Sequence, residues 1–90
     1  MRYALPLILL LTAPAVAECY ADYKAKQDNP LQLHYGVAAV PDDACTPAAA
    51  ASIIADRLGD GWELLEVDSV FGPEGLDERR ERAAEFFLRY

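Results

Sequence analysis

Two cysteines, Cys19 and Cys45, constrain this 90-residue chain more than any other feature. They follow a stretch that reads as an export leader. Arg2 gives a minimal positive start. Tyr3 to Val16 is greasy, with Leu5, Leu7, Ile8, Leu9, Leu10 and Leu11. Ala15-Val16-Ala17 is a small-x-small cleavage site before Glu18. The greasy run is shorter than the about 20 apolar residues a bilayer span needs, so residues 1–17 are expected to be removed rather than to anchor the chain. Lipid attachment at Cys19 is not expected, because a lipid-accepting cysteine normally follows a small residue and here Glu18 precedes it. An exported chain matures in an oxidising compartment, most simply a bacterial periplasm or the medium. There a pair of cysteines reads as a disulfide. A domain this small buries only about 60% of its unfolded surface and needs such a staple.

Composition narrows the class. The chain is 53% apolar, too much for intrinsic disorder. Its 8 basic and 15 acidic residues give a formal charge of -7, wrong for electrostatic nucleic-acid binding. Loss of the leader removes Arg2, one positive charge, and leaves -8.

The mature chain opens with a polar arm, residues 18–30, closed by the turn signal Asp28-Asn29-Pro30. Leu31 to Val40 alternates: Leu31, Leu33, Tyr35, Val37 and Ala39 point one way, Gln32, His34, Gly36 and Ala38 the other. That is a half-buried strand. Thr46 is a good N-cap and Pro47 suits the first helical position. Ala50, Ile53, Ile54 and Leu58 then form an apolar stripe, and Gly59 ends the helix. Trp62 to Phe71 is a second strand of ambiguous register. Leu65, Val67 and Phe71 share one face, and Trp62, Leu64 and Val70 the other. Leu76 to Arg82 is highly charged and forms at most a turn of helix. Ala83 to Tyr90 alternates as a last strand, with Ala84, Phe86, Leu88 and Tyr90 opposite Glu85, Phe87 and Arg89.

These elements predict a small α+β domain over residues 31–90, of β-α-β-β topology. The crossover through the helix makes the first two strands parallel. The last strand returns antiparallel, preferably between them, giving a three-stranded mixed sheet of order 1-3-2. One helix covers one face, and the disulfide Cys19–Cys45 ties the arm down. The second face is left in need of a cover: a protein partner, a second copy or the arm.

Leu58-Gly59-Asp60-Gly61-Trp62-Glu63-Leu64-Leu65-Glu66-Val67 resembles the central motif of a family of short bacterial proteins of unknown function. In that family a helix leads into Gly-Trp-Glu-Leu-Val, a hydrophobic strand, and a last strand ending in aromatic, aliphatic and basic residues. Phe86-Phe87-Leu88-Arg89-Tyr90 is similar to that ending. The likeness covers residues 31–90. Leu65 replaces the usual valine, the loop between the last two strands is longer, and the leader and cysteines are additional. The resemblance implies the β-α-β-β topology and carries no catalytic residue across.

No catalytic set is legible. Ser52 and Ser69 lack a nucleophile-elbow pattern, and His34 is the chain's one histidine. Asp42-Asp43, Asp77-Glu78 and the group Glu63, Glu66 and Asp68 read as solvated acidic surface. Cys19, His34 and Cys45 lack the tight local spacing of a metal site. Trp62 reads first as core at the helix–sheet junction, with a ligand-stacking platform as the alternative. The sequence therefore predicts a non-catalytic exported interaction or accessory module, with no cofactor and no metal. Its partner is a protein or a second copy, not nucleic acid or membrane. The alternative is a small-ligand or metal binder using His34, Trp62 and the strand carboxylates.

Overall fold

A computed structural model describes residues 19–90; the expected leader and its junction at Ala17 and Glu18 lie outside the described residues. The sheet is built on β1 (Cys19–Gln27). Cys19, Ala21, Tyr23 and Ala25 fall on one face, and Tyr20, Asp22, Lys24 and Lys26 on the other, the period-two pattern of a strand. A tight turn leads into β2 (Gln32–Val40), antiparallel to β1 from Cys19↔Val40 to Gln27↔Gln32. Asn29 takes a positive φ of 65° there, which asparagine tolerates. After a 3-10 turn at Asp42–Ala44 comes α1 (Pro47–Arg57), capped by Thr46, whose Oγ1 accepts from the Ala49 N–H at 3.2 Å. Asp60 and Gly61, both at positive φ, turn the chain into β3 (Glu63–Phe71), which pairs antiparallel with β1 on its other side. A 3-10 turn at Pro73–Gly75, the short helix α2 (Asp77–Ala83) and a 3-10 turn at Ala84–Phe86 complete the chain before its last residues.

The expected class holds: a small α+β domain, a three-stranded sheet, a helix across one face and a Cys19–Cys45 tie. Several elements are corrected. The segment read as a polar arm is the central strand, since the order is β2-β1-β3 and every neighbouring pair is antiparallel rather than mixed. The two strands that flank the helix do run parallel with a third between them, but the N-terminal segment fills the gap. The expected last strand shrinks to one parallel bridge, Val37↔Phe87, closed by the Leu88 N–H donating to the Val37 carbonyl at 2.8 Å. Ala84, at φ 51°, turns the chain too late for longer pairing.

The two faces bury separate cores. On the first, α1 lays Ala50 and Ile54 over Cys19, Ala21, Tyr23, Ala25, Ala38 and Val40. On the second, α2 and the chain end set Ala83, Leu76 and Phe87 against Tyr20, Val37 and Phe71. The second face is therefore partly covered from within the chain. The register of β3 explains its ambiguous sequence. Leu65 and Asp68 have no partner on β1, so two bulges interrupt the ladder. Leu64, Val67 and Val70, three apart, all join the first core, whereas period-two reading put Val67 with Leu65 and Phe71.

The disulfide fastens the start of the buried central strand to the residue ahead of the α1 cap, with Cα atoms 5.9 Å apart and the cysteines 26 positions apart in sequence. A loop of that length lowers the entropy of the unfolded chain enough to stabilise by about 3.5 kcal/mol. Replacing both cysteines by serine is expected to lower the unfolding free energy by about that amount, read from urea denaturation, with the same fold retained.

Candidate functional site

Three constellations are candidates for function. The first surrounds His34. Residues of even number on β2 face α1, so His34 enters the first core beside Tyr23 of β1 and is 8% exposed. Its Nε2 shares a hydrogen bond with the Tyr23 hydroxyl at 3.0 Å. Phe86 stacks on the imidazole with centroids 3.7 Å apart and planes within 5°, and Trp62 meets it edge-on at 4.3 Å. Tyr90 lies beyond, at 6.3 Å. Among the described residues the buried Nδ1 has no hydrogen-bond partner. Burial pushes the imidazole below its usual range; the Arg89 charge adds to that and Glu85 opposes it. Burial, with Tyr90 adding to it, pushes the Tyr23 hydroxyl up to about 12. This pocket is filled by its own aromatic rings.

The sequence paired His34 with Trp62, and the structure brings them together, but as packing partners. The strand carboxylates stand elsewhere. Lys24 Nζ lies 2.9 Å from Asp68 and 3.5 Å from Glu66, and Lys26 Nζ lies 3.9 Å from Glu63. Cys19 and Cys45 are consumed by their bond. Among the described residues no three His, Cys, Asp or Glu side chains are placed to hold a metal ion.

The second constellation centres on Asp22, 5% exposed on the opposite face of β1. Its carboxylate accepts from Ser69 at 2.7 Å, Tyr35 at 2.8 Å and Arg79 Nε at 3.0 Å. Burial alone would raise this carboxyl. The three donors and the Arg79 charge outweigh it and hold the carboxyl below its usual range. Arg79 also donates to the Gly75 carbonyl at 2.8 Å and lies 3.9 Å over the Phe71 ring. Arg80 lies over Phe87 and Arg82 over Tyr35, at 4.4 and 3.9 Å. The charged run, read as at most a turn of helix, is thus a seven-residue helix with its acidic side chains in solvent, held on the sheet by cations over aromatic rings. Its lack of an apolar stripe hid it. All donors around Asp22 point inward, so the network joins α2 to the sheet.

The third is a shallow groove of about 240 Å3 where α2 leaves the second face open. Lys24, Leu33, His34, Tyr35 and Leu65 line it. Leu33 is 67% exposed, Leu65 50%, and Leu31, two residues before Leu33, 65%. Leu65 projects there because a bulge frees it from the ladder. Exposed leucines are ordinary singly; two on one depression are not. Glu66 and Asp68, with Lys24 between them, border it.

Comparison with protein-family models, curated proteins and solved structures returned no match for this chain. Among the described residues no helix is long and apolar enough to cross a membrane.

Proposed function

We propose that this is an exported, non-catalytic binding module that engages a basic protein partner through the open half of the second sheet face. The carrying observation is the groove lined by Leu33 and Leu65, bordered by the carboxylates of Glu66 and Asp68, in a domain whose other surfaces of β1 are covered. The leucines supply desolvated contact and the carboxylates orient a positive surface. The charge of -8 expected after removal of residues 1–17 favours fast, salt-sensitive association. Export is supported by the leader pattern and by a disulfide that begins two residues behind the expected cut.

The test compares the wild-type protein, recovered from the exported fraction, with Leu33→Asp/Leu65→Asp. Both serve as bait for that fraction at low and at 0.5 M salt. The expected result is a basic protein retained by the wild type at low salt, released at high salt and lost with the variant. Equal retention by both baits, or retention of nothing, overturns the proposal.

A further inference from the structure

The chain end is held to the domain by thin contacts, and the centre of those contacts is His34. Residues 84–90 contribute one backbone hydrogen bond to the edge of β2, from Leu88 to Val37. Their other polar ties are at the surface: the Tyr90 hydroxyl donates to Asp60 Oδ2 at 3.1 Å, and Arg89 lies 3.9 Å from the same oxygen. The buried attachments are two: the Phe86 ring stacked on the imidazole, which Trp62 and Tyr23 enclose from the other sides, and the Phe87 ring, half-buried against the second core beneath Arg80.

A proton added to this imidazole has nowhere to be accommodated. Nε2 already faces the Tyr23 hydroxyl, and Nδ1 is buried with no acceptor among the described residues. An imidazolium would need an acceptor at both nitrogens. The charged and titratable groups around the pocket supply none at Nδ1. From β1 comes Tyr23, a neutral phenol whose oxygen can accept from Nε2 alone. The turn before β3 gives Asp60, occupied by Tyr90 and Arg89. The chain end gives Glu85, Arg89 and Tyr90; Arg89 repels the added charge, and Glu85 favours it without making a hydrogen bond to it. β2 places Tyr35 on the opposite face, bonded to Asp22. Of the elements enclosing the ring, the chain end is the one with least to lose by leaving.

We propose that residues 84–90 form an acid-operated clasp, in which protonation of His34 releases the chain end and uncovers Trp62 and the Val37 edge of β2 while the disulfide-tied sheet stays folded. The sign follows from linkage. The imidazole is held neutral in the closed form and returns to an ordinary value of about 6.5 in the open one. The closed form is therefore fully favoured above about pH 6.5. It loses ground as pH falls, by up to tenfold in the open-to-closed ratio per pH unit until the closed form itself binds the proton. The inference does not rest on a partner in the groove, although His34 also lines that groove.

The experiment uses the oxidised protein. Amide exchange at Leu88 reports the clasp, exchange within β1 reports the sheet, and fluorescence of Trp62, the only tryptophan, reports the pocket. Between pH 7.5 and 5 the expected result is a loss of Leu88 protection, corrected for intrinsic exchange, of roughly tenfold or more, with a matching fluorescence transition and β1 protection retained. His34→Phe, which keeps an aromatic ring but cannot titrate, is expected to abolish both changes. Unchanged Leu88 protection in the wild type overturns the clasp. So does simultaneous loss of β1 protection, or a transition that survives in His34→Phe. Should that variant not fold, ring titration of His34 in the wild type decides: its midpoint must coincide with the Leu88 change.

Discussion

Gly36→Ala is expected to destabilise the protein by about 3 kcal/mol and to lower its melting midpoint by more than about 10 °C. Gly36 lies directly across from Tyr23 in the β1–β2 ladder, and the tyrosine ring folds over it. A Cβ there would stand 2.5 Å from the Tyr23 hydroxyl oxygen and 2.6 and 2.8 Å from two ring carbons. Real side chains do not pack that closely, so the ring must move. It has no free space, because Tyr23 is fully buried under α1 and its hydroxyl is engaged by His34. Displacement would break that bond and disturb the stack beneath Phe86. Thermal unfolding followed by circular dichroism measures the cost. The cause is checked in the Tyr23→Ala background, where the ring is gone and the glycine substitution should be nearly neutral. An equal penalty in both backgrounds would place the cost in the backbone rather than in the ring.

The same pair shows why part of the fold was legible and part was not. α1 could be read because its signals are local: Thr46 as cap, Pro47 behind it, and Ala50, Ile53 and Ile54 at helical spacing. The alternation of β2 gave the correct parity, placing His34 and Gly36 on one face and Tyr35 and Val37 on the other. It suggested the wrong burial, since Leu33 lies in the open and His34 in the core. That outcome depends on which partners cover each face, and no single strand encodes them. β1 was hidden by chemistry: its inward residues include Ala21 and Ala25, weak strand formers, while Asp22, Lys24 and Lys26 dominate the composition. Yet the period of two was present, and an aromatic facing a glycine across a turn is a usable signal. In β3 the two bulges convert period two to period three, which pattern-matching against a regular strand cannot recover. The chain end kept the expected opposition of Phe86 and Phe87, one on each face, with a single bridge in place of a strand. The Cys19–Cys45 bond was placed correctly because an expected export and an even cysteine count sufficed to pair them. His34 and Trp62, singled out in the sequence as possible ligand contacts, meet as packing partners, in a setting completed by Tyr23 and Phe86, which lie far from them in sequence.

Asp22 and Arg79 are 57 positions apart, and their pairing is the least legible feature and among the most consequential. Arg79→Met, which keeps an apolar stem over Phe71, is expected to cost about 3 kcal/mol at neutral pH, because it leaves a carboxylate buried with only the Ser69 and Tyr35 hydroxyls. The deficit should depend on pH in a definite direction. In the wild type the Asp22 carboxyl lies below its usual value, so its stabilisation is complete above the unfolded value of about 3.9 and is lost as pH falls through the lower folded value. Without Arg79, burial is opposed by two hydroxyls alone, and the folded value rises. The variant then takes up a proton at higher pH than the wild type does, and protonation relieves the buried charge. Its deficit relative to the wild type should therefore be largest near pH 7 and shrink as pH falls towards 4. Denaturant unfolding at several pH values reads both quantities. Amide exchange in α2 should show the helix loosening first, since its other attachments are Arg80 over Phe87, Arg82 over Tyr35 and the small Ala83 contact. A deficit that stayed constant between pH 7 and 4 would mean that Arg79 acts through its stacking on Phe71 rather than through Asp22.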